Sequence, residues 1–168
     1  MKLAVIYDSK TGNTKLAAEW IAAGMNKVSG IEAKSFSIDS VDEEFVTDAG
    51  GIVVGSPNYA CVMTPGMHEW LLGAGVKLKF AGKLAGAFAT GQSTDGGGAV
   101  VIQGIMSIML VNGMLFYSSG GAYGVPVMHL GPVALNNNVE KHNGMEYYKD
   151  SFEIYGKRFA EKAAELFG

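Results

Sequence analysis

Six consecutive residues, Ser9-Lys10-Thr11-Gly12-Asn13-Thr14, carry the clearest chemistry in this chain. Three hydroxyls, an amide side chain and a glycine stand directly ahead of a helical pattern. Free backbone N–H groups at a helix start, helped by the helix dipole, hold a dianionic phosphate without a cation. The hydroxyls add donors, and the glycine lets the backbone come close. The run lacks the Gly-Lys-Ser/Thr ending of the Walker loop and the Gly-x-Gly-x-x-Gly of dinucleotide folds. On its residues alone it is either a phosphate cradle or a capped polar turn.

Other reactive types are sparse. Cys61 is the one cysteine, so it supports no intrachain disulfide and no cysteine-built metal or iron–sulfur site. A lone cysteine reads as a small hydrophobe. His68, His129 and His142 have no metal-ligand spacing, and no metal site is expected. Trp70 reads as core. Tyr59 and Tyr123 are candidates to flank a flat ligand, since aromatic rings give stacking area at low entropy cost.

Around these residues the pattern alternates strand and helix. Apolar runs at 2–7, 49–56 and 84–91 read as buried parallel strands. A weaker alternation at 31–38 gives a second strand, and Met114–Ser118 a fifth. Helices are predicted at about 14–28, 65–73, 98–111 and 146–166, and a long glycine-containing segment runs from 119 to about 144. Right-handed crossovers then give an α/β three-layer sandwich: one five-stranded parallel sheet, helices on both faces, order 2-1-3-4-5. In that order ligands sit beyond the carboxyl ends of the strands. The loops 8–14, 57–64 and 90–98 are therefore expected to converge.

Composition narrows the class. The 168 residues suit a single domain, 1–168. The net charge of −3 and the absence of a basic cluster argue against nucleic acid. A low-potential electron carrier commonly bears a larger negative charge for docking. The longest apolar stretch, Ala99–Val111, falls short of a membrane span, and no signal segment precedes the first strand. A cytoplasmic protein is expected. The helix at 98–111 offers only Gln103 and Ser107 as polar side chains. A helix apolar nearly all round is covered on both sides, so a homodimer or homotetramer is expected, unless segment 119–144 covers it.

Three loops together resemble a known group. Ser9 to Thr14 after an N-terminal strand look like the FMN phosphate loop of flavodoxins. The run Gly55-Ser56-Pro57-Asn58-Tyr59-Ala60-Cys61-Val62-Met63 is similar to the matching loop of WrbA-type NAD(P)H:quinone oxidoreductases. So are Ala89 to Gly98, Asn112-Gly113-Met114 and Gly120 to Gly124. The resemblance implies FMN as cofactor, its phosphate held by Ser9, Lys10, Thr11, Gly12, Asn13 and Thr14. Pro57, Asn58, Tyr59, Ala60, Cys61 and Val62 then lie along the ring. Thr90, Gly91, Gln92, Ser93, Thr94, Gly96 and Gly97 wrap its other side and the ribityl chain. Tyr59, Asn112, Tyr123 and His129 become substrate-pocket candidates. The group's usual arginine and aromatic are replaced here by Tyr59 and Ala60, and its usual histidine by Asn112.

The implied activity is an FMN oxidoreductase passing electrons from NAD(P)H, as co-substrate, to a quinone in a ping-pong cycle. No side chain need act as acid or base, so no catalytic residue is named. The alternative is a flavodoxin-type electron-transfer protein serving a redox protein partner, with no substrate turnover of its own.

Overall fold

The first strand is β1 (Lys2–Tyr7), whose side chains alternate between two buried faces. Leu3 and Val5 face one way, Ala4 and Ile6 the other. Helix α1 (Asn13–Met25), strand β2 (Glu32–Ser37) and helix α2 (Glu43–Asp48) follow, then β3 (Gly51–Pro57), α3 (Pro65–Lys77), β4 (Leu84–Gly91) and α4 (Gly98–Val111). After β5 (Leu115–Phe116) and β6 (Val133–Leu135) the chain ends in α5 (Lys149–Phe167). This computed structural model describes residues 1–136 and 144–168; His142 lies outside the described residues.

The sheet is parallel throughout, in the order β2-β1-β3-β4-β5. This is the expected α/β three-layer sandwich in order 2-1-3-4-5. Helices α2, α3 and α4 cover the face carrying Ile6, Ile52 and Val54. Helices α1 and α5 cover the face carrying Leu3, Val5, Val53 and Phe88. α1 and α5 pack closely because two glycines face each other's backbone. A Cβ on Gly24 would lie 2.0 Å from the Glu153 carbonyl oxygen, and one on Gly156 would lie 2.1 Å from that of Ile21.

Several boundaries differ from the expected ones. α1 stops at Met25 rather than continuing to 28, because the Asn26 side chain turns to the backbone of Ala33 (2.8 and 2.9 Å) and leads the chain into β2. α2 had no counterpart among the predicted helices. It is short and acidic, Asp42 accepts from the Phe45 N–H at its start, and the Lys83 ammonium caps its end on the carbonyls of Val46, Thr47 and Ala49. α3 runs past Gly73 to Lys77.

The expected fifth strand, Met114–Ser118, is real only at Leu115–Phe116. The chain leaves the sheet at Tyr117 and returns as β6 beside Ala89–Gly91, on the same edge of β4. The fifth position is thus filled by two short pieces with residues 117–132 between them. Ser118-Ser119-Gly120-Gly121 is a poor strand former, and Ser119 takes a left-handed φ of 72°. The inserted residues line a cavity with Ala99 and Ile102 of α4, yet Val100, Leu110 and Val111 stay exposed, so the insertion leaves the outer side of that helix uncovered. Among the described residues no helix is long and apolar enough to cross a membrane.

Candidate functional site

Beyond the carboxyl ends of β1, β3 and β4, three loops meet. A cleft of about 170 Å³ is lined by Lys10, Thr11, Asn13 and Thr14 from the first, Pro57, Asn58 and Tyr59 from the second, and Thr90, Gly91 and Gln92. The expected convergence is therefore present. The volume is below the ~300–1,000 Å³ of sites that enclose a whole small molecule. A cleft of this size has room for one end of such a molecule.

Its floor is the start of α1. Gly12 precedes that helix with φ 91° and ψ −15°, and no side chain caps the first-turn N–H groups. Those groups have no partner inside a helix and stay available to an anion. A Cβ at Gly12 would meet nothing within 4 Å, so the glycine is there for its left-handed backbone. The Ser9 hydroxyl accepts from the Gly12 N–H at 3.2 Å, folding the loop over the helix end. Thr14 and Thr90 share a buried hydroxyl–hydroxyl bond of 2.8 Å that joins the first loop to β4. The donors present fit a phosphate group.

Asn58 ties the second loop to the third. Its N–H donates to the Thr90 carbonyl at 2.7 Å. Its side-chain amide donates to the Gly96 carbonyl and accepts from the Cys61 N–H at 2.9 Å. Cys61 Sγ lies 3.5 Å from the same Gly96 carbonyl. Tyr59 and Val62 exchange N–H···O bonds of 3.0 and 3.1 Å, closing a two-residue hairpin turn at Ala60-Cys61. The Lys10 ammonium lies 5.9 Å from the centre of the Tyr59 ring.

Three supporting residues were not singled out from the sequence. Buried Ser56 accepts from the Thr64 N–H at 3.0 Å and donates to the Pro57 carbonyl at 2.9 Å. Thr64 caps α3 at the Met67 N–H and donates to the Asp8 carboxylate. Asn136, just past β6, bonds to Gly91 through its N–H (2.9 Å) and to Asn13 through its side chain (3.2 Å). The Thr64-Pro65 pair is a legible helix start. Asn136 had no signal, because the strand before it was not foreseen.

Among the pocket candidates only Tyr59 lines the cleft. Asn112 stands at the far end of α4, where its side chain donates to the Ile108 carbonyl and fills the space over Gly75. Tyr123 packs edge-on against Tyr117 under Arg158. His129 lines the cavity of the inserted segment. The structure does not bring these three to the loops. Trp70 is half-buried and packs on Phe80. Gly96 and Gly97 face Asn58 and Cys61. Among the described residues no group of His, Cys, Asp or Glu could hold a metal ion.

A parallel sheet in this order, with an uncapped helix start at its switch point, defines an α/β protein whose loop cluster suits a phosphorylated ligand. Comparison with known families matches residues 5–103 to the flavodoxin model. The chain is 34% identical over 167 residues to a flavodoxin of Clostridium saccharobutylicum, covering 99% of this chain and 100% of that one. It is 30% identical to a flavodoxin of Aquifex aeolicus, covering 97% and 87%. Its fold is similar to that of a WrbA-like flavodoxin of Agrobacterium tumefaciens, with a TM-score of 0.77 at 20% identity over 98% of both chains. The chain belongs to the flavodoxin family.

Proposed function

We propose that this protein binds FMN and works as an electron-transfer protein. The observation that carries the reading is the uncapped start of α1, set under the meeting point of three loops. The N–H groups of Asn13 and Thr14 with the hydroxyls of Ser9 and Thr11 would hold the phosphate. Thr90 and Gln92 would border the ribityl chain, and Tyr59 would lie against the ring. Bound there, FMN supplies the redox centre. The residues lining the cleft include no carboxylate and no histidine, so they can position a cofactor without handling substrate protons. Tyr59 keeps 45% of its surface exposed, which leaves a redox partner a short path to the ring. Two full-length flavodoxin relatives add to this reading.

One observation favours a second reading, an NAD(P)H:quinone oxidoreductase. The third loop, Gly91-Gln92-Ser93-Thr94-Asp95-Gly96-Gly97, has no aromatic residue to close the side opposite Tyr59, which leaves room for a substrate ring.

One experiment separates the two. The protein is reconstituted with FMN and reduced stepwise without oxygen. A carrier takes up its electrons in two resolved one-electron steps and is not reduced by NADH or NADPH. Rapid bleaching by either nucleotide, with recovery on adding benzoquinone, would establish the oxidoreductase instead. Ser9→Ala and Thr11→Ala are expected to weaken FMN binding about tenfold each, the effect of losing a hydrogen bond to a charged group. Unchanged binding in both variants, or none in the parent protein, would remove the phosphate assignment.

A further inference from the structure

A larger cavity lies on the other side of the Tyr59–Val62 turn. It measures about 650 Å³ and runs between the turn, the start of α3 and the outer side of α4. Cys61 resting on Gly96 closes the seam between the second and third loops, so this cavity is separate from the phosphate cradle and shares only Tyr59 with it. Its size falls within the range of sites that take a whole small molecule.

The lining decides what it can take. None of its eleven residues is Asp, Glu, Lys or Arg. A charged ligand would lose hydration there and find no countercharge. Val62, Met63, Pro65 and Val100 give apolar walls, and Tyr59 and Met63 offer a ring and a thioether that favour an aromatic guest. Val62 and Val100 are about half exposed at the mouth, apolar surface that a guest would cover. Polar handles are few. Ser107 spends its hydroxyl on the Gln103 carbonyl at 2.9 Å, leaving the Tyr59 hydroxyl, the Gln103 amide and the His68 imidazole as the side-chain groups that can hydrogen-bond an oxygen on the guest.

The wall shared with the cradle has two reasons to respond to a guest. Ala60 and Cys61 hold left-handed backbone, φ 51° and 66°, which costs energy and is held only by the contacts around it, so a guest that alters those contacts shifts the turn. The same turn carries Tyr59 toward the flavin side.

We propose that this cavity binds a neutral aromatic molecule of one or two rings bearing a hydroxyl or carbonyl. Its occupancy is coupled to FMN binding through the Tyr59–Val62 turn. The coupling rests on the flavin reading above; the binding does not.

The test uses 2-naphthol, neutral at pH 7. In the apoprotein, two-dimensional amide NMR is expected to show saturable shifts at Val62, Gly104 and Ser107. Val100→Asp puts a charge at the mouth, where the α4 N-terminus tolerates it, and is expected to abolish those shifts. FMN affinity of that variant without naphthol stays at the parent value. In the parent protein, saturating naphthol is expected to change FMN affinity about fivefold or more, and FMN to change naphthol affinity by the same factor. If FMN fails to bind while naphthol saturates at these amides, the flavin reading falls and the cavity assignment stands. Absence of saturable shifts overturns the site. So do shifts centred on Thr11 and Asn13, or strict mutual exclusion of the two ligands, which would make the cavity part of the flavin's own pocket. Equal FMN affinity with and without naphthol overturns the coupling.

Discussion

Ala60 and Cys61 occupy a turn that their types disfavour. Both have positive φ, the mirror-image hairpin geometry for which Asn-Gly is the usual choice. In this region an L side chain crowds the neighbouring carbonyl, at a cost of about 1–2 kcal/mol per residue. The turn persists because Asn58 holds the Cys61 N–H and Tyr59 and Val62 bond to each other. Ala60→Gly should therefore raise the unfolding free energy. The gain is about 0.5–1 kcal/mol, because the added freedom of the unfolded chain offsets part of the relief. Urea unfolding followed by circular dichroism measures it. A variant no more stable than the parent would show that the turn stores no strain. At this scale the sequence marked Asn58 and Cys61 as flavin neighbours, and the structure adds that both hold the two loops together. Side-chain partners 38 and 35 residues away leave no trace in local pattern.

Strands β1 and β4 and helix α4 were legible almost to the residue, because unbroken apolar runs and flanking glycines mark both their type and their ends. The loop at 9–14 and its uncapped helix start were legible for the same reason, lying in one stretch between a clear strand and a clear helix. The fifth strand was not. Its two halves are separated by 117–132, and β6 is three residues long, too short for any period to register. What anchors that insertion is a tertiary device. Arg158, the only arginine of the chain, reaches from α5 to the Ser119 hydroxyl and to the carbonyls of Tyr123, Val125 and Pro126, each at 3.1 Å. Its guanidinium also lies 5.7 Å from the Tyr123 ring. Five fixed donors suit such a fan of acceptors; a lysine has three. Arg158→Met should lower stability by about 1–3 kcal/mol, since the buried Ser119 hydroxyl and the partly buried Pro126 carbonyl lose a charged donor. Amide hydrogen exchange at 119–125 should quicken, with exchange in β1 and β3 tracking only the global loss. FMN affinity should change less than twofold, because none of these contacts touches the three loops. A larger drop in affinity would place the insertion at the site after all.

At the level of the whole molecule, the two faces of the sheet are sealed differently. The α2–α4 face buries no polar side chain within its cluster of described residues, where aliphatic residues and methionines meet Phe45 and Phe80, with Phe36, Trp70 and Phe116 packed against them. The α1–α5 face carries a phenolic hydroxyl in its middle: Tyr155 is fully buried and donates to the Tyr117 carbonyl at 3.3 Å. Burial pushes the Tyr155 phenol well above its ordinary value of 10.0, and burial likewise raises Tyr117, with Tyr123 hydrogen-bonding beside it. Both phenols are neutral in the folded and unfolded chain below pH 10, so neither affects stability there. Above pH 10 the unfolded chain releases these protons and the folded chain keeps them. The unfolded state then binds fewer protons, so stability falls as pH rises, by about 1.4 kcal/mol per pH unit for the fully buried Tyr155 and by less for the partly exposed Tyr117. Tyr155→Phe removes one of the two. It gives up the long hydrogen bond to Tyr117 and the bond from the Ala87 backbone, together worth about 1–2 kcal/mol, and should be less stable than the parent at pH 7. Its stability should fall more gently above pH 10 and overtake the parent's about one unit higher. Urea midpoints from pH 7 to pH 11.5 read this directly. Parallel curves for parent and variant would mean that Tyr155 ionises in place, and that this face of the sheet admits water where the packing says it is dry.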